Sequence, residues 1–94
     1  MARRRHLIAY DIAEDKRLRR VAKVMEAYGE RLQYSVFLCD LSGAELISWR
    51  QDLLGLLDLS DDSVVVIDLG VPGTQRMEVI GKSRRLPSAG PFVV

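Results

Sequence analysis

One cysteine and one histidine in 94 residues exclude an intrachain disulfide and leave too few thiol and imidazole ligands for a zinc site. No apolar run approaches the roughly 18 residues of a membrane span. The opening MARRRHLIAYD holds an apolar stretch of about four residues before Asp11, short of the 7–15 of a signal peptide. No stretch is of low complexity, and no segment repeats. The expectation is a soluble, cytoplasmic protein with no membrane partner, long enough for one core and too short for two.

What is present is charge, and it is unevenly placed. Residues 1–31 carry nine cations against five anions, residues 32–75 one against seven, and residues 76–94 four against one. The net charge of +1 therefore hides basic ends and an acidic middle. Such a chain can present a positive surface to a polyanion if the basic ends meet in space.

Hydrophobic spacing sets the elements. His6 to Ile12 reads as a strand. From Asp15 the period changes, and Leu18, Val21, Ala22, Met25 and Tyr28 form the apolar stripe of a helix that Gly29 stops. Its other face carries Lys16, Arg17, Arg20 and Lys23, with Arg19 at the edge. RLQYSVFLCDL at 31–41 is extended, and a bend near Gln33 to Ser35 divides it into two short strands. Ser42 and Glu45 have capping-box spacing and start a second helix, expected to reach about Leu57. VVVIDLG at 64–70 reads as a sheet-centre strand, and Met77 and Val79 alternate with Arg76 and Glu78 in one more. The remainder is basic and loop-like until it ends in Phe92-Val93-Val94. The order predicts an α+β, ferredoxin-like βαββαβ sandwich with an additional C-terminal strand.

An RNA-recognition motif shares this plan, but its Gly- and aromatic-rich strand signature is missing. His6 reads as a partly buried strand-start residue and Cys39 as a small buried hydrophobe. Asp11, at the end of the first strand, has two readings: a cap or counter-ion for the following helix, or a ligand for Mg²⁺, which takes oxygen donors from one or two carboxylates together with phosphates. One such Asp makes a poor site, whereas two brought together by a dimer axis make a usable one. Lys16, Arg17, Arg19, Arg20 and Lys23, with Arg3 to Arg5 before the strand and Arg31 after the helix, are either a solvated face or a track for phosphate oxygens. Ser35 could orient a phosphate or water, or simply bond the backbone.

LIAYDIAEDKRLRRVAKVMEAYG, RLQYSVFLCDL and DSVVVIDLG together resemble the small CRISPR-associated adaptation protein family, partner of the CRISPR integrase in spacer acquisition and often described as a metal-dependent endoribonuclease. The resemblance spans about residues 6–81. It implies a homodimer of ferredoxin-like subunits, with a domain at 1–81 whose C-terminal strand adds to the partner's sheet and a tail at 82–94 that packs on the partner. It implies Asp11 as the Mg²⁺ ligand, with Mn²⁺ as a substitute, and Asp11, Tyr10 and Ser35 as the catalytic set. Arg17, Arg31 and Phe37 match further family positions. Arg19 and Arg20 both lie where another basic residue is expected, so that assignment stays open, and Leu18 stands where the family commonly has a second Arg. Lys16, Arg17, Arg19, Arg20 and Arg31 are then the nucleic-acid contacts, to double-stranded DNA or single-stranded RNA. Three functions stay open: a metal-dependent endonuclease, a non-catalytic duplex scaffold of the integration complex, and a toxin-type ribonuclease of related fold.

Overall fold

The structure is a computed structural model that describes residues 2–81. Strand β1 (Arg4–Asp11) leads into helix α1 (Asp15–Tyr28), strands β2 (Glu30–Gln33) and β3 (Val36–Leu41), helix α2 (Gly43–Leu54) and strand β4 (Ser63–Gly70). The strands form one antiparallel sheet in the order β2-β3-β1-β4, the ferredoxin-like arrangement that the sequence predicts. The bend within 31–41 is the two-residue turn Tyr34-Ser35.

Strand alternation decides the two faces. Ile8 and Tyr10 of β1, with Phe37, Cys39 and Leu41 of β3, turn to one side and pack against Val21 and Met25 of α1 and Trp49 and Leu53 of α2. The Trp49 indole N–H donates to the Met25 sulfur at 3.2 Å, and the Tyr28 hydroxyl donates to Asp52 at 2.7 Å, so both contacts tie α1 to α2. Burial pushes the Cys39 thiol up to about 12, which leaves it an inert core hydrophobe. His6 is buried, with Nδ1 unpaired by any described residue.

Among the described residues no helix packs on the opposite face. Register places Leu7, Ala9, Val36, Leu38, Val65 and Ile67 there, and Val65 and Ile67 are exposed. Asp11 stands at the end of that face, opposite Ser63.

Local chemistry explains the element ends. Glu14 caps α1 by accepting from the Arg17 N–H at 2.9 Å. Gly29 follows α1 because a Cβ there would strike Cys39 Sγ and the Leu38 carbonyl. The Ser42–Glu45 capping box forms as expected. Helix α2, however, ends at Leu54 rather than near Leu57. Leu56 and Leu57 instead fold back in a tight turn onto the Leu53 carbonyl and still pack on the core. Pro72-Gly73, with Gly73 at φ +88°, turns the chain after β4. The strand expected at Arg76–Gly81 does not form within the single chain, since a strand requires a neighbour to pair with. The expected tail at 82–94 lies outside the described residues.

Candidate functional site

The end of the sheet at which β1 finishes gathers the candidates. Tyr10 donates its backbone N–H to the Ser35 carbonyl at 3.1 Å, so the β2–β3 turn lies beside the last residues of β1. The side chains of Tyr10 and Asp11 nevertheless leave the strand on opposite faces, because its side-chain period is two. Tyr10 is buried, stacks on Phe37 with centroids 6.1 Å apart, and aims its hydroxyl at the Tyr34 carbonyl at 3.5 Å. Burial pushes its pKa up, and the nearby Arg31 charge offsets part of that rise. Asp11 is exposed. Ser35 is half-buried at the turn, its carbonyl bonded to the Tyr10 N–H. The three residues share one end of the fold without converging as side chains.

Neither structural reading of Asp11 survives. Glu14 caps α1, and no described residue forms a hydrogen bond or ion pair with the Asp11 carboxylate. The helix counter-ion is instead Asp62, which the sequence shows only as part of a turn. Its fully buried carboxylate receives Arg17 Nε at 2.8 Å and Arg17 Nη2 at 3.1 Å, together with the Ala13 and Asp58 backbone N–H groups at 2.9 and 3.0 Å. The Arg17 guanidinium and these N–H donors hold Asp62 well below the usual carboxylate range.

Arg17 thus clamps the β1–α1 connection to the loop before β4. The other N-terminal arginines are similarly engaged: Arg3 with Glu45 at 2.8 Å, Arg4 with Asp68 at 2.9 Å and Arg5 with Asp40 at 2.8 Å. The acidic middle of the sequence has folded onto its basic beginning, and much of the charge separation along the chain cancels in space.

What remains is on α1. Lys16, Arg19, Arg20 and Lys23 line one shallow depression, all exposed and without an ion pair to any described residue. Their i, i+3, i+4, i+7 spacing spreads cations over about 10 Å of helix axis. Arg31 lies outside this row, across a second cleft that Arg19 and Lys23 also line, with its guanidinium carbon 5.3 Å from the Phe37 centroid and 5.8 Å from that of Tyr34, within cation–π range.

Comparison with known proteins fits this geometry. The family model for CRISPR associated protein Cas2 matches residues 4–77. The chain belongs to the Cas2 family. It is 34% identical over 93 residues to the CRISPR-associated endoribonuclease Cas2 of Nitratidesulfovibrio vulgaris, covering 94% of this chain and 91% of that one. It is 35% identical over 92 residues to the CRISPR-associated endonuclease Cas2 of Halalkalibacterium halodurans, covering 93% and 96%. The crystal structure of Streptococcus pyogenes Cas2 superimposes with a TM-score of 0.73 at 35% identity, covering 82% of this chain and 99% of that chain. The Cas2 match runs through β1, α1 and the β2–β3 turn, so Asp11, the α1 cations and Arg31 all fall within it.

Proposed function

We propose that this chain is a dimeric, Mg²⁺-dependent phosphodiesterase of CRISPR adaptation that binds nucleic acid through α1 and works with the CRISPR integrase. The observation that carries the proposal is Asp11: an exposed carboxylate with no capping or ion-pairing role among the described residues. A bare acid at the rim of an apolar sheet face has little stabilising purpose, and oxygen donors of this kind suit Mg²⁺ or Mn²⁺.

One chain does not complete a metal site, since among the described residues no three His, Cys, Asp or Glu side chains converge. The face with Leu7, Val36, Val65 and Ile67, on which no described helix packs and where Val65 and Ile67 are exposed, supplies a reason for a second copy. Two such faces laid together across a twofold axis bring two Asp11 carboxylates to the interface, and the residues present then fit the ion. The two Asp11 carboxylates would hold Mg²⁺, which would supply Lewis-acid activation for phosphodiester hydrolysis. Ser35 is the residue to which we assign the orienting of a phosphate oxygen or water; its position in the turn beside the end of β1 supports that reading. Tyr10, packed on Phe37, instead fixes the end of β1 from the helix side. Lys16, Arg19, Arg20 and Lys23 hold the phosphate backbone, and Arg17 braces the helix that carries them.

The names of the relatives divide between endoribonuclease and endonuclease, so RNA and DNA are both substrates to test. Purified wild type and Asp11→Asn are to be compared on single-stranded RNA and duplex DNA with Mg²⁺ and with EDTA. Cleavage is expected only from wild type with metal, with the melting curve of the variant unchanged. Undiminished metal-dependent cleavage by Asp11→Asn removes the assignment.

One observation favours a second reading, a duplex scaffold between integrase subunits. The α1 cations belong to the helix side of the sheet, whereas Asp11 belongs to the other. Duplex held along α1 without reaching Asp11 would be bridged and not cut, and intact spacer acquisition by Asp11→Asn would identify that case.

A further inference from the structure

Between α1 and the β2–β3 turn lies a cleft of about 250 Å³ lined by Tyr10, Leu18, Arg19, Lys23, Arg31 and Tyr34. We infer that this cleft seats a single unpaired nucleotide, with its base on the ring of Tyr34 and its phosphate between Arg19 and Lys23. The inference rests on the nucleic-acid reading above and goes beyond it by separating unpaired from paired strands.

The wall chemistry is of two kinds. Tyr10 and Leu18 form an apolar floor, and Tyr34 stands at the turn with 62% of its surface exposed, an aromatic placed where core packing does not need it. Arg19 and Lys23 are one turn apart on α1, spaced to hold one phosphate group from two sides. Base stacking on an aromatic next to cations is how single strands are held without sequence preference.

Arg31 supplies an independent indication. Its Nε is buried with no hydrogen-bond partner, while its Nη2 only approaches Glu26 at 4.0 Å. A guanidinium N–H left unpaired inside a protein calls for an explanation, and a small shift of Arg31, which lines the cleft, would let it donate to a base oxygen seated there. Glu26, on the same wall, disfavours a second phosphate beside Arg31 and can accept from an exocyclic amino group. The cleft is small and offers a single exposed ring, Tyr34, so it presents a stacking surface for one base at a time. Bases inside a duplex keep their faces stacked on one another, and only a frayed end, an overhang or a single strand can offer one to Tyr34.

The test uses the full chain in EDTA and three probes of equal phosphate number: a blunt DNA duplex, a duplex with a 3′ overhang carrying 2-aminopurine, and a single strand carrying the same base. Binding should quench the 2-aminopurine fluorescence. Tyr34→Ala should weaken the overhang and single-strand probes by roughly 5- to 150-fold, the range for losing one stacking aromatic, and leave the blunt duplex unchanged. Tyr34→Phe, which keeps the ring, should behave as wild type. Equal losses on all three probes, or no loss on any, overturn the proposal. If it alone fails, salt-dependent binding of the blunt duplex persists. If the nucleic-acid reading itself fails, no probe binds.

Discussion

Arg17 and Asp62, 45 residues apart in the chain, meet as a two-pronged ion pair with the carboxylate fully buried, and the Ala13 and Asp58 N–H groups complete its hydrogen bonding. Removing one partner strands the other in a dry site, the costly way to break such a pair. Arg17→Ala should therefore lower the melting temperature by at least about 5 °C, given the few degrees per unit of stability typical of a domain this size. Arg20→Ala, which removes an exposed cation without a described partner, should leave it unchanged. Thermal unfolding followed by circular dichroism separates the two.

The same contact sets an acid limit. Asp62 is held low by Arg17 and backbone donors, and Glu45 is held down to about 2, chiefly by its hydrogen bond from Arg3. Both carboxyls have folded-state values below their unfolded ones near 4, so the unfolded chain binds more protons as acid is added. Their stabilisation is complete above about pH 4 to 5 and is lost as pH falls toward 2 and below. Buried Asp62 should dominate, because the Arg3–Glu45 pair is largely exposed and screened by solvent. Denaturant melts through this range should show falling stability, with a clearly shallower fall in Asp62→Asn.

Salt dependence distinguishes binding cations from structural ones. Log affinity for duplex DNA should fall linearly with log salt at about 0.9 per phosphate neutralised. Arg20→Ala should flatten that slope by about two contacts per dimer, because symmetry repeats each loss. Arg17→Ala should hardly change the slope wherever the protein remains folded. Titrations in EDTA at several salt concentrations measure both.

The bare sheet face makes oligomeric state testable. Ile67 is 47% exposed in the single chain, so Ile67→Asp should leave the fold intact while placing a charge in the centre of the proposed interface. Sedimentation should show wild type as a dimer and the variant as a folded monomer. A dimeric Ile67→Asp would move the interface elsewhere.

Much of this molecule is legible in its sequence because short-range rules govern it. The α1 stripe, the Ser42–Glu45 box and a strand at 64–70 each declare themselves within a few residues, and the structure forms all three. The strand, however, lies at the sheet edge beside β1 and not at its centre, with Val65, Val66 and Ile67 exposed, because an apolar run reports burial against something without saying whether its own chain supplies it. The end of helix α2 is less legible: Leu56 and Leu57 continue its apolar pattern past Gly55, yet they meet the core from a tight turn instead of a helix. The opposite orientations of Tyr10 and Asp11 follow from strand geometry, but a motif invites adjacent residues to be grouped as one site. Asp62 could not be found locally. Nothing in SDDS marks which aspartate is buried, because the partner that decides it lies on another element. The arginines at 3 to 5 pose the same problem, since their acids are 35 to 64 residues away.

The central claim is that two Asp11 carboxylates, one from each subunit, act on one metal-dependent site. Wild-type and Asp11→Asn chains mixed in equal amounts, allowed to exchange subunits and assayed with Mg²⁺ against single-stranded RNA and duplex DNA, test it directly. If both carboxylates are required, only doubly wild-type dimers cut, and activity per total protein falls to about one quarter of wild type. Activity of about one half would mean that each subunit works alone, and no cleavage by wild type itself would mean that Asp11 serves no phosphodiesterase; either result contradicts the account.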